Sequence, residues 1–227
     1  LEMSFVEQKD VMKLVENLIT AVFEKFGKKI TKKPFPVFDY REVKDKYGDE
    51  HIDIRENKND PKEAGVAWIK NFPVFTKDKD TGQLTYSHNP FTAPIAGDIP
   101  RLMAGQDLED LTSLQYDLMC NGQEIGGGGI RINKTEVLER VFEVLGYSKD
   151  KIKDQFGHIL EAFKYGAPPH GGIALGIDRI LMILSGEKSL REVIAFPTTS
   201  GGQTSVMNAP SEIDQAQLKE LHLKVVK

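Results

Sequence analysis

Residues 114–132 read LQYDLMCNGQEIGGGGIRI, and the fold turns on them. Asn121-Gly122 stands between two apolar, alternating runs. A two-residue type I′ turn needs positive φ at both positions, which Asn and Gly tolerate. Such a hairpin pairs Cys120 with Gln123, Met119 with Glu124 and Asp117 with Gly126. Asp117, Met119 and Glu124 then share a face, and the two carboxylates are diagonal neighbours roughly 5–8 Å apart. Like charges that close repel unless a cation joins them or one keeps a proton. Mg²⁺ shared with phosphate oxygens suits such a pair. Two solvent-facing acids on an exposed sheet face are the other reading.

Four consecutive glycines, Gly126 to Gly129, follow inside the second strand. Glycine weakens a strand, so it marks a bulge or a close approach to the backbone. Ile125, Ile130 and Ile132 around it argue against a flexible linker. Arg131 lies seven residues after Glu124, which strict alternation places on the opposite face. If both serve one site, the glycines must host a bulge that shifts the register.

A second informative stretch is PPHGGIALGIDR, residues 168–179. Alternation sets Gly172, Ala174 and Gly176 on one face and Ile173, Leu175 and Ile177 on the other. The apolar face is expected in a core, and the bare face leaves room for a flat ligand. Asp178 is expected as N-cap of the following helix. Arg179 then falls in the first helical turn, where the helix dipole disfavours a cation. An anion such as a triphosphate would support it there, and a guanidinium also lies well against a purine. An ion pair with Glu187 or another acid is the alternative.

The remaining chain reads as one α+β domain over residues 1–227. Apolar spacing predicts a helix over 5–27 that ends at Gly27. Further helices are expected near 41–47, 134–145, 148–164 and 178–185. Strands are expected at 64–72 and 84–87, and 48–63 is expected as a charged surface connection. With 40% hydrophobic and 28% charged residues, the chain has an ordinary globular composition. No apolar run approaches the ~20 residues of a membrane span, and there is no signal-peptide layout. A net charge of −4 does not suit a dedicated nucleic-acid binder. The lone Cys120 excludes an intramolecular disulfide, fits a reducing compartment, and reads as a small apolar strand residue. His51, His158 and His222 read as surface or packing residues. The chain begins at Leu1, so it is expected to be cut from something longer unless Met3 is the start.

These motifs together resemble the bacterial-type aspartyl-tRNA synthetases, a branch of the class II aminoacyl-tRNA synthetases. GIALGIDR resembles motif 3 of that class, and PPHGG with His170 resembles the aspartyl branch. NGQEIGGGGIRI resembles the branch's strand pair, HNPFTAP (residues 88–94) its substrate-covering loop, and REVIAFPTT (residues 191–199) the segment after motif 3. LEMSFV at the start resembles the end of motif 2. The resemblance implies part of an antiparallel sheet flanked by helices, in a cytoplasmic homodimer. It also implies activation of L-aspartate with ATP and Mg²⁺, then transfer to tRNA(Asp). On it, Gly176, Ile177, Asp178 and Arg179 form the ATP wall, with Arg179 on the γ-phosphate and adenine. Asp117 and Glu124 hold Mg²⁺ and phosphates, Arg131 pairs with the substrate's side-chain carboxylate, and His88 closes over the aspartate. Catalysis is implied for Arg179, Glu124 and Arg131.

The chain departs from that pattern in several ways. Motif 1, most of motif 2 with its α-phosphate arginine, and the anticodon-binding barrel are absent, so this chain alone is expected to be inactive. The large domain that usually follows the KYGDEHIDIR segment (residues 46–55) is missing. Asn89 stands where a second histidine is common, and Gly129 where serine is common. Two other readings stay open: a non-catalytic paralogue, and an adenylate-forming asparagine synthetase.

Overall fold

A computed structural model describes residues 1–204, 206 and 208–226. In chain order the elements are β1 (Glu2–Ser4), α1 (Gln8–Lys25), β2 (Lys29–Ile30), β3 (Val37–Asp39), α2 (Tyr40–Tyr47), β4 (Glu63–Ala64) and β5 (Val66–Lys70). Then come β6 (Phe75–Lys77), β7 (Leu84–Tyr86), α3 (Ile99–Ala104), β8 (Gln115–Cys120) and β9 (Gln123–Ile130). The chain continues through α4 (Thr135–Val144), α5 (Lys149–Lys164), β10 (His170–Leu175), α6 (Ile177–Ser185) and α7 (Gln215–Glu220). Two compact units result, Leu1–Gly186 and Glu187–Lys227. The second holds a 3₁₀ turn at Leu190–Glu192 and α7, which starts with the Asp214 carboxylate accepting from the Ala216 amide.

The first unit is built on a six-stranded sheet in the order β1-β10-β9-β8-β5-β3. Every neighbour in it is antiparallel except β3 and β5. The expected α+β sheet with flanking helices is therefore present. Alternation along β5 and β8 separates two faces. On one, Ala67, Ile69 and Met119 pack with Val43, Ile52 and Phe72; Asp117 pairs with Ile69 and belongs to that face. On the other, Trp68 and Tyr116 meet edge-on at 6.0 Å. The charged connection runs as irregular chain over 48–62, and the carboxylate of Glu63, where β4 begins, accepts from the Glu56 and Asn57 amides.

α1 lies against β2 and β10 and buries Val11, Val15, Ile19 and Phe23. Leu14, Leu18 and Phe26 of the expected apolar set face outward, because the core takes only the i, i+4 stripe. Gly27, at φ +74°, ends the helix as expected. A second cluster joins Leu102, Leu111, Val137, Leu138, Val141, Phe142, Ile152 and Leu160. There Phe142 and Phe156 stack at 4.1 Å between α4 and α5. Residues 78–83 link β6 to β7, with Phe75 opposite Tyr86.

Candidate active site

The site begins at the Asn121-Gly122 turn. Both residues have positive φ, 51° and 79°, as a type I′ turn requires. The Asn121 side chain also accepts from the Gly65 amide and donates to the Glu63 carbonyl, anchoring the turn to the neighbouring chain. Cys120 then pairs with Gln123 and Met119 with Glu124, as expected. One step further the register slips: Leu118 faces Gly126, and Asp117 faces Gly127 rather than the expected Gly126. The extra residue is Ile125, fully buried. A bulge exists, but Ile125 hosts it and not the glycines, whose own pairing with β8 and β10 is regular. It frees backbone groups that the strand ladder would otherwise use. The Ile125 carbonyl accepts from the Gly176 amide at 2.9 Å, and the Glu124 carbonyl from Arg179 Nη1 at 2.6 Å. The bulge thus docks the start of α6 beside Glu124.

Gly127 is the floor of the site. A Cβ placed there would lie 3.0 Å from Glu124 Oε1 and 3.2 Å from Asp117 Oδ1. The two carboxylates therefore converge over one bare position, as the hairpin predicted. Asp117 is almost completely buried, with one partner on each oxygen: Gln115 Nε2 donates to Oδ1 at 2.7 Å, and His88 Nε2 lies 3.3 Å from Oδ2. Two oxygen-donor carboxylates on an unobstructed strand suit a hard cation such as Mg²⁺, and each carboxylate oxygen has a lone pair to spare. Another close acidic group, Asp49, Glu50 and His51, is largely exposed, and its Glu50 already pairs with Lys44.

His88 has its ring edge against Phe72 at 4.8 Å and its Nδ1 by Ser87 Oγ at 3.2 Å. Burial opposes its charged form, but the hydrogen bond to Asp117 and the charges of Asp117, Glu124 and Glu50 outweigh it. The imidazole pKa is held above its ordinary value. The loop after His88 is stitched to the sheet. The Ala93 amide donates to the Ile130 carbonyl, Thr92 bridges Arg131, and Pro94 bridges Ser113. His88, Asn89, Thr92, Ser113 and Gln115 leave a space of only about 10 Å³, no larger than a single water. A cavity of about 610 Å³ lies along α4 and α5, lined by Glu139, Glu143, Lys149 and Lys153 among others.

Both departures beside the loop have a structural counterpart. A Cβ at Gly129 would lie 2.9 Å from Thr92 Oγ1, so the bare strand makes room for the threonine. Asn89 caps its own loop by accepting from the Phe91 amide at 2.9 Å. Gln115 and Thr92 were not singled out from the sequence. The signal for Gln115 was available: it stands two residues before Asp117 on the same strand face.

Arg131 follows Gly127 and Gly129 in alternation and faces the same way, as the bulge requires. It lines an open cleft of about 460 Å³ with Phe91, Ile132, Phe163 and His170. Its guanidinium is held by Glu2 of β1. Three expectations for residues 168–179 are corrected. The N-cap of α6 is Gly176, because the helix starts at Ile177 and places Asp178 inside its first turn. Ile177 is 68% exposed rather than in a core, since alternation ends where the helix begins. The bare face is not open throughout: a Cβ on Gly172 would collide with the Leu1 carbonyl and the Glu2 carboxylate. The acid that pairs with Arg179 is Glu124, whose Oε2 lies 3.6 Å from Nη1.

Comparison with known proteins follows the geometry. The family model of class II tRNA synthetases (D, K and N) matches residues 1–200. The aspartate–tRNA ligase of Streptomyces avermitilis is 47% identical over 160 residues, 70% of this chain and 27% of that protein. The aspartate–tRNA(Asp/Asn) ligase of Dictyoglomus turgidum is 49% identical over 177 residues, 77% of this chain and 30% of that protein. The chain thus spans less than a third of the length of these curated relatives. Among solved structures, an aspartyl-tRNA synthetase from Entamoeba histolytica superposes with a TM-score of 0.63 at 20% identity. It covers 89% of this chain and 43% of that one. An asparaginyl-tRNA synthetase from Pyrococcus horikoshii gives 0.57 at 19%, covering 88% and 48%. At such identities these two likenesses speak for the fold alone. With the family model matching most of its length, this chain belongs to the class II tRNA synthetases of the D, K and N group.

Proposed function

We propose that the chain carries the amino-acid and nucleotide pockets of an aspartate–tRNA ligase. Such an enzyme joins the L-aspartate α-carboxylate to the α-phosphate of ATP, releases pyrophosphate, and passes the aspartyl group to a tRNA(Asp) 3′ end. The observation that carries this reading is the convergence of Asp117 and Glu124 over Gly127, with Arg131 on the same strand face and Arg179 tied to Glu124. The nearly 50% identity to enzymes named for aspartate supports the amino acid.

Each residue has a stated task in this reading. Arg131 grips the substrate's side-chain carboxylate, because a planar fork matches a planar carboxylate. His88, with its pKa raised by Asp117, closes over the aspartate as a positive group. Glu124 and Asp117 would hold Mg²⁺, which when bound would neutralise phosphate charge. Arg179, at the wall formed with Gly176, Ile177 and Asp178, moves from Glu124 to the γ-phosphate and the adenine. No side chain is needed as nucleophile; positioning and charge carry the step. The homodimer and a cytoplasmic location are part of the same proposal. No helix among the described residues is long and apolar enough to cross a membrane.

Aspartate-dependent exchange of pyrophosphate into ATP tests the proposal, in protein expressed from its complete reading frame. Exchange with aspartate but not asparagine, abolished by chelating Mg²⁺, is expected. Exchange that ignores aspartate would overturn it. Ammonia-dependent release of free asparagine would favour an asparagine-forming enzyme instead.

A further inference from the structure

Arg131 is held along one edge. Its Nε donates to Glu2 Oε1 and its Nη2 to Glu2 Oε2, both at 3.1 Å. This is the side-on, two-point form of an arginine–carboxylate pair. It leaves the Nη1–Nη2 end of the fork for a second carboxylate, and among the described residues no protein group accepts from Nη1. The partners are far apart in sequence and meet through the sheet. Glu2 lies on edge strand β1, paired with Gly172 of β10, while Arg131 follows the end of β9. The Glu2 side chain crosses β10 over Gly172, where any Cβ would run into it. Next to it the Tyr116 hydroxyl donates to the Gly172 carbonyl at 2.9 Å, fixing the strand that Glu2 crosses.

The ion pair is a poor source of stability. Glu2 is 48% exposed and Arg131 24%, and exposed pairs contribute little. What two-point pairing supplies is orientation: it fixes the plane of a side chain with several rotatable bonds. From this geometry we infer that Glu2 is a positioning residue for Arg131, holding the guanidinium side-on so that its free end receives the substrate's side-chain carboxylate. The inference rests on the proposed role of Arg131. Glu2 touches no reacting atom; it sets where the fork points. Gly172 belongs to the same device, as the gap that lets the carboxylate reach across.

The test uses Glu2→Gln, which keeps the shape and removes the charge, in protein expressed from its complete reading frame. Two readouts are taken. The first is the ¹⁵N-arginine Nε–H spectrum, with the Arg131 signal assigned by its loss in Arg131→Lys. The second is aspartate-dependent pyrophosphate exchange, split into KM and kcat. The expected result is a shifted, faster-exchanging Arg131 Nε–H signal, a KM for aspartate raised about 10-fold, as loss of an orienting outer partner typically gives, and kcat and melting temperature close to wild type. Partial recovery of KM with Glu2→Asp would support the orienting role. An Arg131 signal unchanged in Glu2→Gln overturns the inference, because the pair would not exist in solution. A lost signal with unchanged KM also overturns it, as does a lowered KM, which would make Glu2 a competitor for the fork. A wild-type protein with no aspartate-dependent exchange would instead remove the reading of Arg131 beneath it, and it does so before any variant is compared.

Discussion

The β8–β9 hairpin and the β10–α6 unit are both rich in glycine, yet their bare positions are filled from different directions. In the hairpin, Gly127 and Gly129 leave space taken by polar side chains on that face of the sheet: Glu124, Asp117 and Thr92. On β10, Gly172 is covered by the neighbouring edge strand, through the Leu1 carbonyl and the Glu2 carboxylate. Gly128 is different again, since a Cβ there would meet the Gly172 carbonyl and lie 2.9 Å from Ile173 Cα. A glycine inside a strand marks a close approach. Only the neighbour that approaches says whether the space serves chemistry or packing.

The difference can be broken by experiment, and the largest expected effect is chemical. Glu124→Gln should lower aspartate-dependent pyrophosphate exchange about 10²–10³-fold, the usual loss for one preorganised electrostatic contact. Its melting temperature should fall little, since Glu124 is only partly buried. A near-normal exchange rate would mean that the Glu124 carboxylate is merely a surface charge.

The two kinds of glycine should then separate in stability. Gly128→Ala meets backbone that cannot yield without parting β9 from β10, so it should destabilise by about 1–3 kcal/mol or more, as overpacking does. Gly127→Ala meets the carboxylate ends of Glu124 at 3.0 Å and Asp117 at 3.2 Å, side-chain contacts that a small shift relieves without parting the strands. It should unfold near the wild-type denaturant midpoint while exchange activity falls. Equal losses of stability in both variants would erase the distinction drawn here.

A smaller effect concerns pH. The folded His88 pKa lies above its ordinary 6.5. Its pairing with Asp117 therefore stabilises fully below about pH 6.5, and that stabilisation is lost as pH rises through the folded value. The melting-temperature gap between wild type and His88→Gln should be widest near about pH 5.5 and narrow by about pH 8.5. A constant gap would show that the loop is held by its backbone bonds alone. The smallest effect is expected at Cys120, whose thiol burial pushes up to about 12. It should resist iodoacetamide at pH 8 until the protein is unfolded, and mass spectrometry of the native protein checks this.

Much of the site was legible before any coordinates, for local reasons. The Asn121-Gly122 turn, the shared face of Asp117 and Glu124, and the need for a bulge before Arg131 all follow from dihedral preferences and a two-residue period. These depend on neighbours in sequence, so sequence carries them. The position of the bulge does not, because Ile125 and Gly126 can each absorb an extra residue locally. Packing of Ile125 into the core and capture of its carbonyl by Gly176 decide between them. The misplaced cap of α6 has the same origin: Asp178 is a good N-cap by type, but the helix starts where Gly176 is tied to the bulge.

What sequence alone determined about this protein is its family pattern, its hairpin and the residue types that chemistry needs. What only the tertiary structure decided is which distant groups complete them. Arg179 is tied to Glu124, His88 to Asp117, and Arg131 to Glu2 across 129 positions of chain. Local preferences act over a few residues and can be read along the chain. A salt bridge between strand ends depends on sheet order, register and one bulge together, and these exist only once the whole sheet has formed.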